Sequence, residues 1–215
     1  AYCGMGNIIQ KTINNGDTWQ EIGRPDTWSS SLVVSPHNQN MLFIGGAGLF
    51  GSLDGGDTWT EFSNGLGASN LEMKLDPINQ STIYAQNYCE LFISTDSGNQ
   101  WQAFQLDGCG LSFDSTGKFL YRATSSKELR YDNGGDKKQE SDLPQEGGNL
   151  IPDPNNPDIV FALYDRGQTP YIYRSEDGGE NWQETRGMQD INDTRLFFDH
   201  GNGNTVYAVG DLQIS

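Results

Sequence analysis

The strongest constraint on this chain is a short turn pattern that returns at nearly even intervals. Its clearest copy is Ser52-Leu53-Asp54-Gly55-Gly56-Asp57-Thr58-Trp59, and close variants are Ser94-Thr95-Asp96-Ser97-Gly98-Asn99-Gln100-Trp101 and Ser175-Glu176-Asp177-Gly178-Gly179-Glu180-Asn181-Trp182. A softened copy, Thr12-Ile13-Asn14-Asn15-Gly16-Asp17-Thr18-Trp19, stands near the start. A fifth, Tyr131-Asp132-Asn133-Gly134-Gly135-Asp136-Lys137, keeps the turn but has Lys137 in the tryptophan position. Asn14, Asp54, Asp96, Asp132 and Asp177 are thereby separated by steps of 40, 42, 36 and 45 residues. A period of this size marks one supersecondary unit used repeatedly, each copy covering the apolar face of the one before.

A second signature runs in phase with the first. An aromatic residue follows an Asp or Ser by eight positions in Ser35 to Phe43, Asp76 to Tyr84, Asp153 to Phe161 and Asp199 to Tyr207, and by seven in Asp114 to Tyr121. Each unit reads as strand, turn, aromatic strand, short link, strand, Ser-x-Asp turn, strand. With 27 Gly, 5 Trp, 9 Tyr, 10 Phe and a hydrophobic fraction of 34%, the composition suits short strands and tight turns better than helices.

The motif residues have structural roles in such a hairpin. The Asp side chain accepts hydrogen bonds from the N–H groups of its own turn, Gly supplies positive φ, and Ser or Thr adds a local hydroxyl bond. Trp anchors the turn by packing its ring between sheets. Asn14, Trp19, Asp54, Trp59, Asp96, Trp101, Asp132, Asp177 and Trp182 are therefore read as scaffold.

A repeated S-x-D-x-G-x-x-W at this spacing resembles the Asp-box, or BNR-repeat, β-propellers, a group that includes sialidases, xyloglucanase-type glycoside hydrolases, sortilin-type receptors and photosystem-assembly factors. The resemblance covers the whole chain. It implies an all-β propeller of four-stranded antiparallel blades, at about 1–22 (partial), 23–62, 63–104, 105–140, 141–186 and 187–215 (partial). The strand count fits neither five nor six complete blades, so the segment reads as part of a larger ring, whose remaining blades would be its first partner. Fold does not fix function here, because these families differ in their loops.

Several function classes are disfavoured. A net charge of −16 is a poor match for nucleic acid or an anionic membrane surface. No apolar run is long enough to span a bilayer. Cys3, Cys89 and Cys109 lack CxxC spacing and only His37 and His200 accompany them, so no metal is expected. Gly46-Ala47-Gly48-Leu49-Phe50-Gly51 matches a dinucleotide fingerprint, yet a Ser-x-Asp turn follows where a helix is required, and no cofactor is expected. Residues 199–204 alternate oxygen ligands without the closing Glu of a calcium loop. A sialidase would need a converging arginine cluster, for which Arg24-Pro25 is a poor substitute.

Two readings of function remain. The first is a non-enzymatic, extracytoplasmic or secreted module that binds a protein or carbohydrate through the loops opposite the Ser-x-Asp turns. The second is a glycoside hydrolase, xyloglucanase-like or less readily sialidase-like, whose paired carboxylates would come from Asp26, Glu90, Asp107, Asp165, Asp190 or Asp193. The loop of residues 164–171 singles itself out by length. From the second-strand aromatic to the turn Trp this unit uses 21 residues, against 17, 16 and 17 in the others. Its Asp165, Arg166 and Tyr171, with Tyr88 and Glu90 from a comparable link, are the candidate ligand contacts. Cys89 and Cys109 fall on the loop side of adjacent units, where they form either a disulfide, implying an oxidising compartment, or two half-buried thiols.

Overall fold

The computed structural model describes residues 2–5, 8–23, 31–35, 37–46, 48–63, 66, 71–87, 89–145, 149–164, 171–185, 191–199 and 204–212. All regular structure among them is β-strand. The chain divides into two compact units, Ala1–Gln105 and Leu106–Ser215.

The first unit holds three antiparallel sheets. One is three-stranded, of β1 (Tyr2–Met5), β2 (Ile8–Lys11) and β3 (Gln20–Gly23). The next has β4 (Ser31–Val34), β5 (Leu42–Gly45), β6 (Leu49–Ser52) and β7 (Thr60–Glu61), and the third has β8 (Glu72–Leu75), β9 (Ile83–Asn87), β10 (Glu90–Ser94) and β11 (Gln102–Ala103). In the second unit β12 (Cys109–Phe113), β13 (Phe119–Ala123), β14 (Lys127–Asp132) and β15 (Lys137–Asp142) form one four-stranded sheet. β16 (Asn149–Pro152), β17 (Val160–Tyr164), β18 (Tyr171–Ser175) and β19 (Gln183–Glu184) form another, and β20 (Ile191–Phe198) and β21 (Val206–Leu212) form a two-stranded ladder. Every sheet is a meander of sequential neighbours, the arrangement that short hairpin links enforce.

The in-phase Asp and Ser residues cap the first hairpin of each unit from inside. Asp76 Oδ1 accepts the N–H groups of Ile78 (2.8 Å) and Asn79 (2.9 Å), and Asp114 Oδ1 accepts that of Phe119 at 3.1 Å. Asp153 Oδ1 accepts from Asn155 N–H at 2.7 Å, and Ser35 Oγ accepts from His37 (3.3 Å) and Asn38 (3.2 Å). All four caps are buried. Each Ser-x-Asp turn is then tied to that first hairpin by one backbone bond: Gly55 N–H to Asn40 O, Ser97 N–H to Ser81 O, Asn133 N–H to Lys118 O and Gly178 N–H to Asp158 O. Both turn types therefore lie at one end of every four-stranded sheet, and the remaining links lie at the other.

Four of the five aromatic residues that keep the repeat period are core residues, whereas Tyr207 is 56% exposed. Phe43, Tyr84, Tyr121 and Phe161 are buried. In the first unit Phe43 joins Leu49, Phe62, Leu71, Met73, Ile83 and Trp101 in one cluster. In the second, Tyr121 packs with Leu143, Leu150, Val160, Ala162 and Tyr164. The sheet whose turn has Lys137 in the tryptophan position differs in the length of its last strand. In the other four-stranded sheets the fourth strand is two residues long, and β3 after Trp19 has four, whereas β15 pairs with β14 from Tyr131↔Lys137 to Lys127↔Asp142, with one register shift.

Candidate functional site

A cleft lies at the loop end of the second unit. Its geometry begins with the segment that leads into β12. Gly108 and Gly110 adopt φ of 82° and 71°, a left-handed backbone open to glycine at little steric cost. A side chain at Gly108 would also meet the Ala123 carbonyl oxygen at 2.9 Å. The β12–β13 register shifts between Cys109 and Ser112, which bends the strand away from its partner.

Two side chains hold this bend. Arg122 is only 1% exposed, donating through Nε to Asp107 O at 3.1 Å and through Nη2 to Gly108 O. Tyr131 donates its hydroxyl to the same Asp107 carbonyl at 3.3 Å. Burial pulls the Arg122 guanidinium below its ordinary range, opposed by the nearby Tyr131 and Asp107. Arginine nevertheless keeps its charge in proteins. A fixed positive group thus lies at the base of the bend.

Across from it, the β13–β14 link closes on itself, with Thr124 N–H bonded to Lys127 O at 2.8 Å and Lys127 N–H bonded to Thr124 Oγ1 at 3.0 Å. Ser112 Oγ donates to Leu150 O at 2.8 Å, tying β12 to the first strand of the next sheet. Between these elements lies a cleft of about 320 Å³, bordered by Cys109, Arg122, Thr124, Ser125, Asn149 and Leu150 among others. Ser125 and Asn149 are exposed. The lining offers hydroxyl and amide groups, a set that both donates and accepts hydrogen bonds.

The Ser-x-Asp turns, each at the other end of its own sheet from the loop links, are occupied chemically. Ser52 Oγ donates to Asp54 Oδ1 (2.7 Å) and accepts from Gly56 N–H (2.8 Å), while Asp54 accepts from Thr58 N–H (2.9 Å) and Thr58 Oγ1 (2.6 Å). The Ser175-Asp177-Gly179-Asn181 and Ser94-Asp96-Gly98-Gln100 turns repeat the pattern. Hydrogen bonds from the Thr58 side chain hold the Asp54 carboxyl at about 2, and those from the Ser175 side chain hold Asp177 at about 2. The backbone N–H of Gln100 lowers Asp96, and the Lys138 ammonium lowers Asp132. Carboxylates so committed brace their turns.

No family model and no curated protein matches the sequence. Solved structures do resemble it. The GH74 xyloglucanase from Xanthomonas campestris aligns with a TM-score of 0.73 at 18% identity, covering 97% of this chain and 41% of the other. A GH74 enzyme from Niastella koreensis aligns at 0.68 and 20% identity, covering 84% and 34%, and Kuenenia stuttgartiensis hydrazine synthase at 0.63 and 16%, covering 87% and 56%. The fold is that of a β-propeller. The chain spans about a third to two-fifths of the length of the two GH74 enzymes.

The sheets of this propeller are its blades, and the sequence-derived residues distribute over them as follows. Glu90 opens β10, exposed and opposite Asn87. Tyr171 opens β18, 39% exposed and opposite Tyr164, at the same end of its blade as the cleft. Tyr88, Asp165 and Arg166 lie outside the described residues, as do Asp26, Asp190 and the side chain of Asp193. Asp107 contributes its carbonyl to the bend. Cys89 and Cys109 are both disulfide-bonded. Sequence reasoning missed Arg122, Ser125 and Asn149. A lone Arg inside an apolar strand, following Leu120 and Tyr121, was the available signal.

Proposed function

We propose that this propeller is a binding module that recognises a glycan or protein ligand at the loop end of its blades, with the cleft beside Arg122 as a central element. The observation that carries this reading is the cleft itself: its floor is fixed by the Arg122 and Tyr131 bonds to the 107–108 backbone, and its rim presents Ser125 and Asn149 to solvent. A preformed floor limits the entropy lost on binding, and hydroxyl and amide groups suit the hydroxyls and carbonyls of sugars and peptides. Tyr171, with Asp165 and Arg166 just before it in the chain, is a proposed contact of the second unit, and Tyr88 and Glu90 are proposed contacts of the first. An extracytoplasmic or secreted location is part of the proposal, supported by two cysteines in the disulfide state.

Glycoside hydrolysis is the second reading, favoured by the fold shared with two GH74 enzymes. It would require two acids facing each other across a cleft. One measurement separates the two: a glycan array run beside a reducing-sugar assay on xyloglucan and related polysaccharides. Binding without sugar release, weakened at least about tenfold by Asn149→Ala combined with Ser125→Ala, is the expected outcome. Release of reducing sugar replaces the first reading with the second, and unchanged affinity in the double variant removes the cleft from either.

A further inference from the structure

The junction between the 109–142 and 149–184 sheets contains a buried acid that the scaffold does not need. Glu128 is 1% exposed, and neither carboxyl oxygen has a hydrogen-bond partner. Its carboxyl abuts Gly179 of the following turn, where an added Cβ would lie 2.0 Å from Oε1 and 2.1 Å from Oε2. The equivalent glycines of the first unit, Gly56 and Gly98, rest on Ile22 and on Phe62 with Phe43. A carboxyl group therefore occupies a place that apolar side chains fill elsewhere in the repeat.

The groups around Glu128 give its carboxyl no hydrogen bond, and the Arg130 charge only partly offsets the cost of burying a negative charge there. Arg130, two residues along the same face, has its guanidinium 3.8 Å over the Phe119 ring and directs Nη1 to Gln139 Oε1 at 3.4 Å. Tyr121 on β13 and Tyr164 on β17 are buried with their hydroxyls unbonded. Tyr173 packs edge-on against Tyr164, with ring centroids 5.6 Å apart, and Asp177 in the facing turn adds a negative charge. A carboxylate stripped of water and of hydrogen-bond donors is strongly disfavoured relative to its neutral acid.

We propose that this junction is a proton-linked joint, in which Glu128 is seated as the neutral acid and loss of its proton loosens the 175–182 turn from the preceding blade. The proton passes to solvent as the turn opens and the carboxylate becomes hydrated. Burial pushes the Glu128 carboxyl up to about 8, with Arg130 opposing the rise and Asp177 adding to it. The joint is thus held most firmly below pH 4.5 and weakens progressively as pH climbs to about 8.

Amide hydrogen exchange on the wild-type protein tests this with an internal reference. Once the intrinsic pH dependence of exchange is removed, opening of 175–182 relative to 52–59 should rise by roughly tenfold per pH unit between about pH 6 and pH 8. The 52–59 turn has the same hydrogen bonds but rests on Ile22. In Glu128→Gln, which keeps the shape and cannot ionise, the ratio should stay flat. The infrared carboxylic acid band assigned by that substitution should be present at about pH 6 and fade through about pH 8. A constant ratio in the wild type, parallel pH profiles in wild type and E128Q, or an ionised Glu128 at about pH 6 would each overturn the proposal; if E128Q does not fold, the wild-type ratio and infrared titration decide.

Discussion

Two blade junctions built from the same repeat have solved the same packing problem with opposite chemistry. Between the 31–61 and 72–103 sheets, Phe43 and Phe62 meet edge to face with centroids 6.0 Å apart at 67°, and Gly98 of the next turn lies against both rings. Between the 109–142 and 149–184 sheets, Tyr121 takes the Phe43 place, Arg130 lies over Phe119, and Gly179 lies against Glu128. The first junction is built mainly of apolar side chains, with the Trp101 Nε1–H as a buried polar group among them. The second combines aromatic burial with polar groups that lack partners, among them Glu128, the Tyr121 and Tyr164 hydroxyls and Arg130 Nε. The repeat thus specifies where blades touch while leaving what they touch with free to diverge.

The largest test of that contrast is truncation of the aromatic wedge. Phe43→Ala should cost about 3–5 kcal/mol, because a fully buried ring leaves a cavity between sheets that cannot close around it. Tyr121→Phe should cost nothing or raise the unfolding midpoint, since it removes only a hydroxyl that has no partner. Denaturant titration of the two variants measures both. A loss of similar size in each would erase the distinction.

Alanine at the contact glycines comes next. Gly98 and Gly179 have φ of 94° and 95°, so each substitution carries about 1–2 kcal/mol of backbone cost. At Gly98 the new methyl would meet Phe62 Cδ1 at 3.3 Å, a contact that a small ring shift relieves, whereas at Gly179 it would overlap both Glu128 oxygens. Gly179→Ala should therefore lose about 1–3 kcal/mol more than Gly98→Ala. Glu128→Ala in the Gly179→Ala background should recover part of that difference.

Acid and base should act on the junctions differently. Asp54 and Asp177 are held at about 2, below their ordinary 3.8, so the stability they contribute is complete above 3.8 and is lost as pH falls towards 2. That limb belongs to both units, and Asp54→Asn should flatten its share of it in acid unfolding curves. Glu128 has the opposite sign. Raised from 4.5 to about 8, it favours the folded state most below 4.5 and loses that contribution as pH climbs to 8. Among the described residues only the second unit carries a carboxyl raised in this way, so equal weakening of both units between pH 4.5 and about 8 would contradict the contrast.

The smallest effect is expected at the periphery of the polar junction's own sheet. Lys127 and Asp142 pair across β14 and β15, but the Asp142 side chain is 84% exposed and water screens the contact. Asp142→Ala should leave the thermal midpoint within the error of a calorimetric scan at physiological salt.

How far these features were legible differs by residue. Asp76, Asp114, Tyr84 and Phe161 could be placed from spacing, because a hairpin cap and a core aromatic recur at fixed offsets and any loss of phase would expose them. The Ser-x-Asp turns were legible for the same reason, down to the hydrogen bond between Ser52 and Asp54. The cleft was not. Ser125 and Asn149 are separated in sequence and approach only because β13 and β16 belong to neighbouring blades. Arg122 and Glu128 were invisible as buried groups because strand alternation predicts that a residue faces inward without saying whether a carbonyl, a ring or a glycine awaits it. The length of β15 was equally hidden, since Lys137 signals a missing Trp but not a longer ladder.

That longer strand has a consequence for the behaviour of the molecule in concentrated solution. Three of the four-stranded sheets finish in a two-residue strand, which gives a foreign chain almost no backbone to pair with, but β15 presents six residues at the margin of its sheet. Such a margin is a template for accidental strand addition. Lys137, Lys138, Glu140 and Asp142 are exposed along it, so an incoming segment would have to match charges of both signs as well as hydrogen bonds. Colloidal stability is thereby assigned to four side chains that contribute little to folding, and their neutralisation would be felt first as turbidity and fibre formation in an otherwise fully folded protein.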